Sequence, residues 1–122
     1  MSDLLDRYLA CWNATDAEAR WNLLLDNWAD DATYVDPLVD VRGRDALDAT
    51  IAAVQQQFPG FVFAPAGPVD AHHGVARFSW GLGPAGAEPV VIGFDVVSLD
   101  DAGRIRSVVG FLDRVPEGQE PR

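Results

Sequence analysis

Lysine is missing from this 122-residue chain: all nine basic residues are Arg, set against 15 Asp and 4 Glu, for a net charge of −10. So little positive charge disfavours nucleic acids and anionic membrane surfaces as partners, because both are polyanions. Arg without Lys, and Asp over Glu, is the bias of a GC-rich bacterial genome, with adaptation to high salt as a weaker reading. Cysteine is nearly absent too. A single residue, Cys11, excludes an intramolecular disulfide and fits a cytoplasmic protein; set among apolar helical neighbours, it reads as an inert packed thiol. No apolar run is long enough to span a bilayer, and Met1-Ser-Asp-Leu-Leu-Asp-Arg7 has neither the basic nor the apolar region of a signal peptide. The chain also lacks internal repeats, a Gly-rich phosphate loop, a Gly-x-Ser-x-Gly motif, a Cys/His dyad and calcium-loop spacing. His72 and His73, adjacent in sequence, would point to opposite faces of a strand and could not chelate one ion. These absences predict a protein without metal or cofactor.

What is present suffices for one folded domain, with 48% hydrophobic residues. Leu4, Leu5, Tyr8, Leu9 and Trp12 recur at helical spacing. Thr15-Asp16-Ala17-Glu18 has the form of a capping box opening a second helix, whose Trp21, Leu24, Leu25 and Trp28 keep the same period. Asp30-Asp31 is expected to end that helix, and Thr33-Tyr34-Val35 reads as a short strand stopped by Asp36-Pro37. Arg42-Gly43-Arg44-Asp45 reads as a turn into a third helix with the stripe Leu47, Ile51, Val54 and Phe58, broken by Pro59-Gly60. The rest reads as strands at 61–63, 69–72, 75–82, 90–99 and 105–112, divided by His73-Gly74, Gly83-Pro-Ala-Gly86 and Asp100-Asp-Ala-Gly103. Helices followed by a meander predict an α+β fold in which three N-terminal helices cover one face of a mainly antiparallel sheet. Gly81, Gly93 and Gly110 within strands predict bends or bulges, hence a curved sheet, and a curved sheet covered by helices leaves a cleft. The single domain is expected over 1–113, with a flexible tail over 114–122.

One strand carries an anomaly. Within Val90-Val-Ile-Gly-Phe-Asp-Val-Val-Ser-Leu99, alternation puts Asp95 on the face of Val91, Gly93, Val97 and Leu99. A carboxylate in such a place needs a hydrogen-bonding partner or a raised pKa. The same alternation turns Ala76, Phe78, Trp80 and Leu82 inward, with Arg77 and Ser79 outward, and turns Val108, Gly110 and Leu112 inward. The candidate ligand-binding wall is therefore aromatic and aliphatic: Trp12, Trp28, Tyr34, Phe78, Trp80, Val97, Val108 and Leu112. Such a wall suits a small apolar molecule.

Arg7 to Asn13 in the first helix, Trp28 to Pro37, Arg42-Gly-Arg44 and the hairpin Gly93 to Ile105 together resemble the nuclear-transport-factor-2-like superfamily. Within it they resemble the SnoaL-like polyketide-cyclase and ketosteroid-isomerase branches. The resemblance implies a cone-shaped, cystatin-like roll and a homodimer. It also implies roles for three residues: Tyr8 as an oxyanion-stabilising phenol, Asp36 as a proton-shuttling base, and Asp95 as a protonated acid giving a second oxyanion hydrogen bond.

Each residue has a plainer alternative. Asp36 could be a turn or capping aspartate before proline, Asp95 a buried acid tied to an arginine or to the first helix, and Tyr8 a packed core tyrosine. Three functions follow. The first is a cofactor-independent isomerase or cyclase acting on a small apolar carbonyl compound. The second is a non-catalytic ligand-binding or dimerisation module. The third, resembling the superfamily's epoxide hydrolases, needs an Asp-Arg-Asp arrangement with Arg77 or Arg106 turned inward.

Overall fold

The apolar stripe of Leu4, Leu5, Tyr8, Leu9 and Trp12 forms one buried face of the first helix, α1 (Ser2–Asn13), in the computed structural model, which describes residues 2–116. Helix α2 (Ala17–Asn27) follows, but its cap is not the expected one. Asp16, in extended backbone, is the N-cap and accepts from the Ala19 N–H at 2.9 Å, so the capping residue is one position after Thr15. The helix also stops at Asn27. Trp28 takes extended backbone and begins strand β1 (Trp28–Val35), so Asp30-Asp31, expected to end the helix, instead stand exposed on an irregular stretch of strand. Strand β2 (Asp40–Arg42), which overlaps the expected turn only at Arg42, pairs antiparallel with β1. Its three residues are too few to show alternation in the sequence. Gly43, at φ 90°, then switches the chain into α3 (Arg44–Gln57).

Five strands complete the chain: β3 (Phe61–Pro65), β4 (Asp70–His72), β5 (Val75–Pro84), β6 (Val91–Leu99) and β7 (Ile105–Arg114). The sheet runs β2-β1-β7-β6-β5-β3, with β4 also on β5. All pairs are antiparallel except β1 with β7, which are parallel, so the architecture is α+β with a mixed, mostly antiparallel sheet. Register shifts at Trp28/Thr33, Ile92/Gly93 and Ser98/Leu99 mark the irregularities that curve it. Strand β7 extends to Arg114, and Val115 and Pro116 follow it; the rest of the expected tail, residues 117–122, lies outside the described residues. No helix among the described residues is long and apolar enough to cross a membrane.

Inward residues fall in rows across the sheet. Ala76, Val97, Val108 and Tyr34 form one row, Phe78, Asp95 and Gly110 the next, and Trp80, Gly93 and Leu112 the third. Gly93 is required there because the Trp80 ring lies where its side chain would be. The helices are tied down by polar contacts that alternation does not reveal. Buried Arg20 ion-pairs with Asp48 on α3 at 2.6 Å and donates to the Ala14 carbonyl and to Gln55. Asn13 both donates to the Phe63 carbonyl and accepts its N–H, fixing the end of α1 to β3.

Candidate active site

Tyr8 projects from α1 onto the inner face of the sheet because it lies on the same helical stripe as Leu4, Leu5 and Trp12. Its hydroxyl donates to Asp95 Oδ2 at 2.6 Å. The Trp80 indole, one row away on the neighbouring strand, donates to the same oxygen at 3.0 Å. Asp95 is 1% exposed, and no arginine is hydrogen-bonded or ion-paired to it among the described residues. Burial pushes its carboxyl up from the ordinary 3.8 to about 6; the Tyr8 and Trp80 hydrogen bonds oppose that rise, and the charge of Asp36 adds to it. Burial, followed by the charge of Asp95, likewise holds the Tyr8 hydroxyl well above its ordinary value.

Asp36 follows the last residue of β1 and comes up beside Gly110 of β7. A Cβ at Gly110 would lie 2.6 Å from Asp95 Oδ1 and 3.5 Å from the Asp36 Cβ, so the missing side chain separates the two carboxyl-bearing residues. Pro37 keeps Asp36 out of helical backbone, and the chain folds back so that Asp36 Oδ1 accepts the N–H groups of Leu38 and Val39 at 2.8 and 3.0 Å. The Tyr34 hydroxyl donates to Asp36 Oδ2 at 2.7 Å. Burial, then the charges of Asp95 and Asp36, raises the Tyr34 hydroxyl well above its ordinary value.

Tyr8, Trp80, Tyr34 and Asp36 border one cavity, open at its mouth, with room for about 80 Å³. Of the residues expected at a site, Tyr8, Trp12, Tyr34, Asp36, Trp80 and Leu112 lie on its wall, and Asp95 sits behind Tyr8 and Trp80. Trp28, Phe78, Val97 and Val108 do not border it: each is at most 1% exposed and packs the closed end of the sheet. Arg77 and Arg106 are exposed, the former paired with Asp70, so neither supplies the arginine of an Asp-Arg-Asp arrangement. His72 and His73 are exposed on the β4–β5 hairpin. Cys11 is buried, which pushes its thiol up to about 11 and leaves it protonated at neutral pH.

The sequence profile of the SnoaL-like domain matches residues 5–108. The chain belongs to this family. Among solved structures, a candidate isomerase of the SnoaL-like family from Agrobacterium tumefaciens is 45% identical, covers 91% of this chain and 95% of its own, and superposes with a TM-score of 0.86. Two more distant structures share the fold. A candidate polyketide cyclase from Sinorhizobium meliloti is 18% identical over 88% of this chain and 93% of its own, with a TM-score of 0.69. An NTF2-like protein from Cytophaga hutchinsonii is 12% identical over 92% and 88%, with a TM-score of 0.67. No curated protein shows significant similarity to the chain.

The wall of this SnoaL-like domain also includes residues that sequence reasoning assigned to the core or left unassigned. Val54, Gln57 and Phe58 present one face at the end of α3, and Phe63, Leu82 and Val91 close the sheet side. Leu38, Val115 and Pro116 contribute as well, with Leu38 67% exposed. The i, i+3, i+4 spacing of 54, 57 and 58 was the available signal, since a glutamine on that face interrupts an otherwise apolar stripe.

Proposed function

We infer that the cavity binds a small, mainly apolar carbonyl compound and moves a proton on it, as an isomerase or cyclase does. Asp36 takes the proton from the carbon next to the carbonyl, and the electron pair passes to the carbonyl oxygen. Tyr8 and neutral Asp95 form a hydrogen-bond chain that supports the developing enolate. Return of the proton to another carbon completes an isomerisation; attack by that carbon on a second carbonyl closes a ring. Neither outcome consumes a cofactor. The observation that carries this reading is a buried acid with no cationic partner among the described residues, hydrogen-bonded to a tyrosine that borders the same cavity as a second carboxylate. Two such groups with different environments are the arrangement proton transfer uses.

One observation favours the non-catalytic alternative. Both Asp36 oxygens already accept hydrogen bonds, Oδ1 from backbone and Oδ2 from Tyr34, as a purely structural turn aspartate would. The test is turnover of small enones and epoxides by the wild type and Asp36→Asn. General-base catalysis predicts a loss of roughly 100-fold or more in kcat on an accepted substrate. Equal rates would sink the general-base assignment and leave a binding module. We also assign homodimerisation to the outer face of β6 and β7. There Phe94 opposes Phe111 and Val96 opposes Val109, and Val96, Val109 and Phe111 are 37%, 42% and 54% exposed.

A further inference from the structure

Two buried polar atoms at this site lack a hydrogen-bond partner: Asp95 Oδ1 and the indole Nε1–H of Trp12. A buried donor left without a partner is destabilising. Trp12 otherwise behaves as packing, 5% exposed, with its ring tilted against Tyr34 and Phe63 at 5.4 Å each. Phenylalanine would make similar ring contacts and leave no donor stranded. Trp28 also has an unpaired N–H, but it is a core residue whose indole acts on the Cys11 thiol, not a residue of the cavity wall.

The buried Trp12 N–H lies close to the Tyr8 hydroxyl, and the Trp12 side chain lines the cavity there. It favours the anionic form of the Tyr8 hydroxyl without closing a hydrogen bond to it. The neighbouring donors are occupied. Tyr8 and Trp80 both donate to Asp95 Oδ2, and Tyr34 donates to Asp36 Oδ2. Of the two tyrosines and two tryptophans on the wall, Trp12 has the donor left over.

We propose that Trp12 is a ligand-binding residue whose indole N–H takes the acceptor oxygen of a bound carbonyl compound beside Tyr8, so that the site prefers ketones and enones to hydrocarbons of the same shape. The proposal rests on the cavity being a carbonyl site and names the group that reads the oxygen. While Asp95 is ionised, Tyr8 spends its proton on Asp95 and Trp12 alone holds the ligand oxygen. Once Asp95 is protonated, it can donate to Tyr8, and Tyr8 is released to give the oxygen a second hydrogen bond. A donor already in place gains strength as negative charge develops on that oxygen.

Heteronuclear NMR of the full chain, labelled at the indole nitrogens, tests this by titration with cyclohexenone and, separately, methylcyclohexene. The Trp12 signal is assigned by its loss in Trp12→Phe. The indole proton of Trp12 is expected to move downfield with the enone and not with the hydrocarbon. Trp12→Phe should weaken enone binding roughly five-fold while changing hydrocarbon binding by less than about two-fold, the loss of one neutral hydrogen bond. A Trp12 signal that ignores the enone while that of Trp80 responds overturns the role of Trp12 and leaves the carbonyl reading intact. Silence of both indoles overturns both. If Trp12→Phe does not fold, the wild-type titration decides, with the Trp12 signal identified by its Overhauser contacts to Tyr34 and Phe63.

Discussion

Replacing Asp95 by Asn should alter how the stability of this domain depends on pH. The folded protein holds the Asp95 proton up to about pH 6, whereas an unfolded chain releases it near 3.8. Between those values the folded state carries the extra proton, so stability falls as pH rises. The contribution is fully present below 3.8, is lost through the window up to about 6, and stays lost above it. At 1.36 kcal/mol per unit the whole effect is roughly 3 kcal/mol, and Asp95 is too deeply buried for solvent screening to reduce it much. Of this, roughly half, about a tenfold change in the folding equilibrium, falls between pH 5 and pH 8.

Asn keeps an acceptor for Tyr8 and Trp80 but places an amide beside Gly110, where Asp95 Oδ1 has no partner. That cost does not vary with pH and cancels when one pH is compared with another. Urea unfolding of both proteins, followed by tryptophan fluorescence at equal concentration between pH 5 and 8, isolates the Asp95 contribution. The folding equilibrium of Asp95→Asn relative to wild type should shift about tenfold toward the folded state across the range. Parallel stability curves would refute the raised pKa of Asp95.

Two further outcomes follow from the geometry. Gly110→Ala should lower stability by about 1–3 kcal/mol in the same urea assay, since the new methyl meets Asp95 Oδ1 while Oδ2 is held by Tyr8 and Trp80; an unchanged midpoint would mean that Asp95 moves freely. Phe111→Glu, on the outer face of β7, should convert a dimer to monomer in sedimentation velocity with little change in circular dichroism. A wild type that already sediments as monomer removes the dimer assignment.

The sequence showed which way side chains point more clearly than where along a strand they stand. Period-two alternation put Phe78 with Trp80, and Val108 with Leu112, on the correct inner face. It could not show that Trp80 and Leu112 stand at a cavity while Phe78 and Val108, one or two rows away, fill the closed end. That boundary depends on where α1 and α3 leave the sheet, a tertiary fact with no local signature. The same limit explains Arg20, which reads as a solvated helix charge until Asp48, 28 positions later, is brought alongside it. The α2 cap was mistaken for a more local reason: Thr15 and Asp16 are both competent caps, and the pattern cannot choose between adjacent residues.

Asp36 shows why the plainer alternative and the functional one need not compete. Its Oδ1 does the work of a turn aspartate, closing the backbone at Leu38 and Val39, and that work fixes the carboxyl plane at the end of β1. A base that must meet a carbon-bound proton needs such a fixed orientation, because misplacement by even an ångström costs rate steeply. The turn therefore holds one oxygen so that the other is presented beside Tyr34 on the cavity wall. On the proposed reading, Oδ2 can accept a proton only if the Tyr34 hydroxyl, which now donates to it, turns toward the ligand or rotates aside.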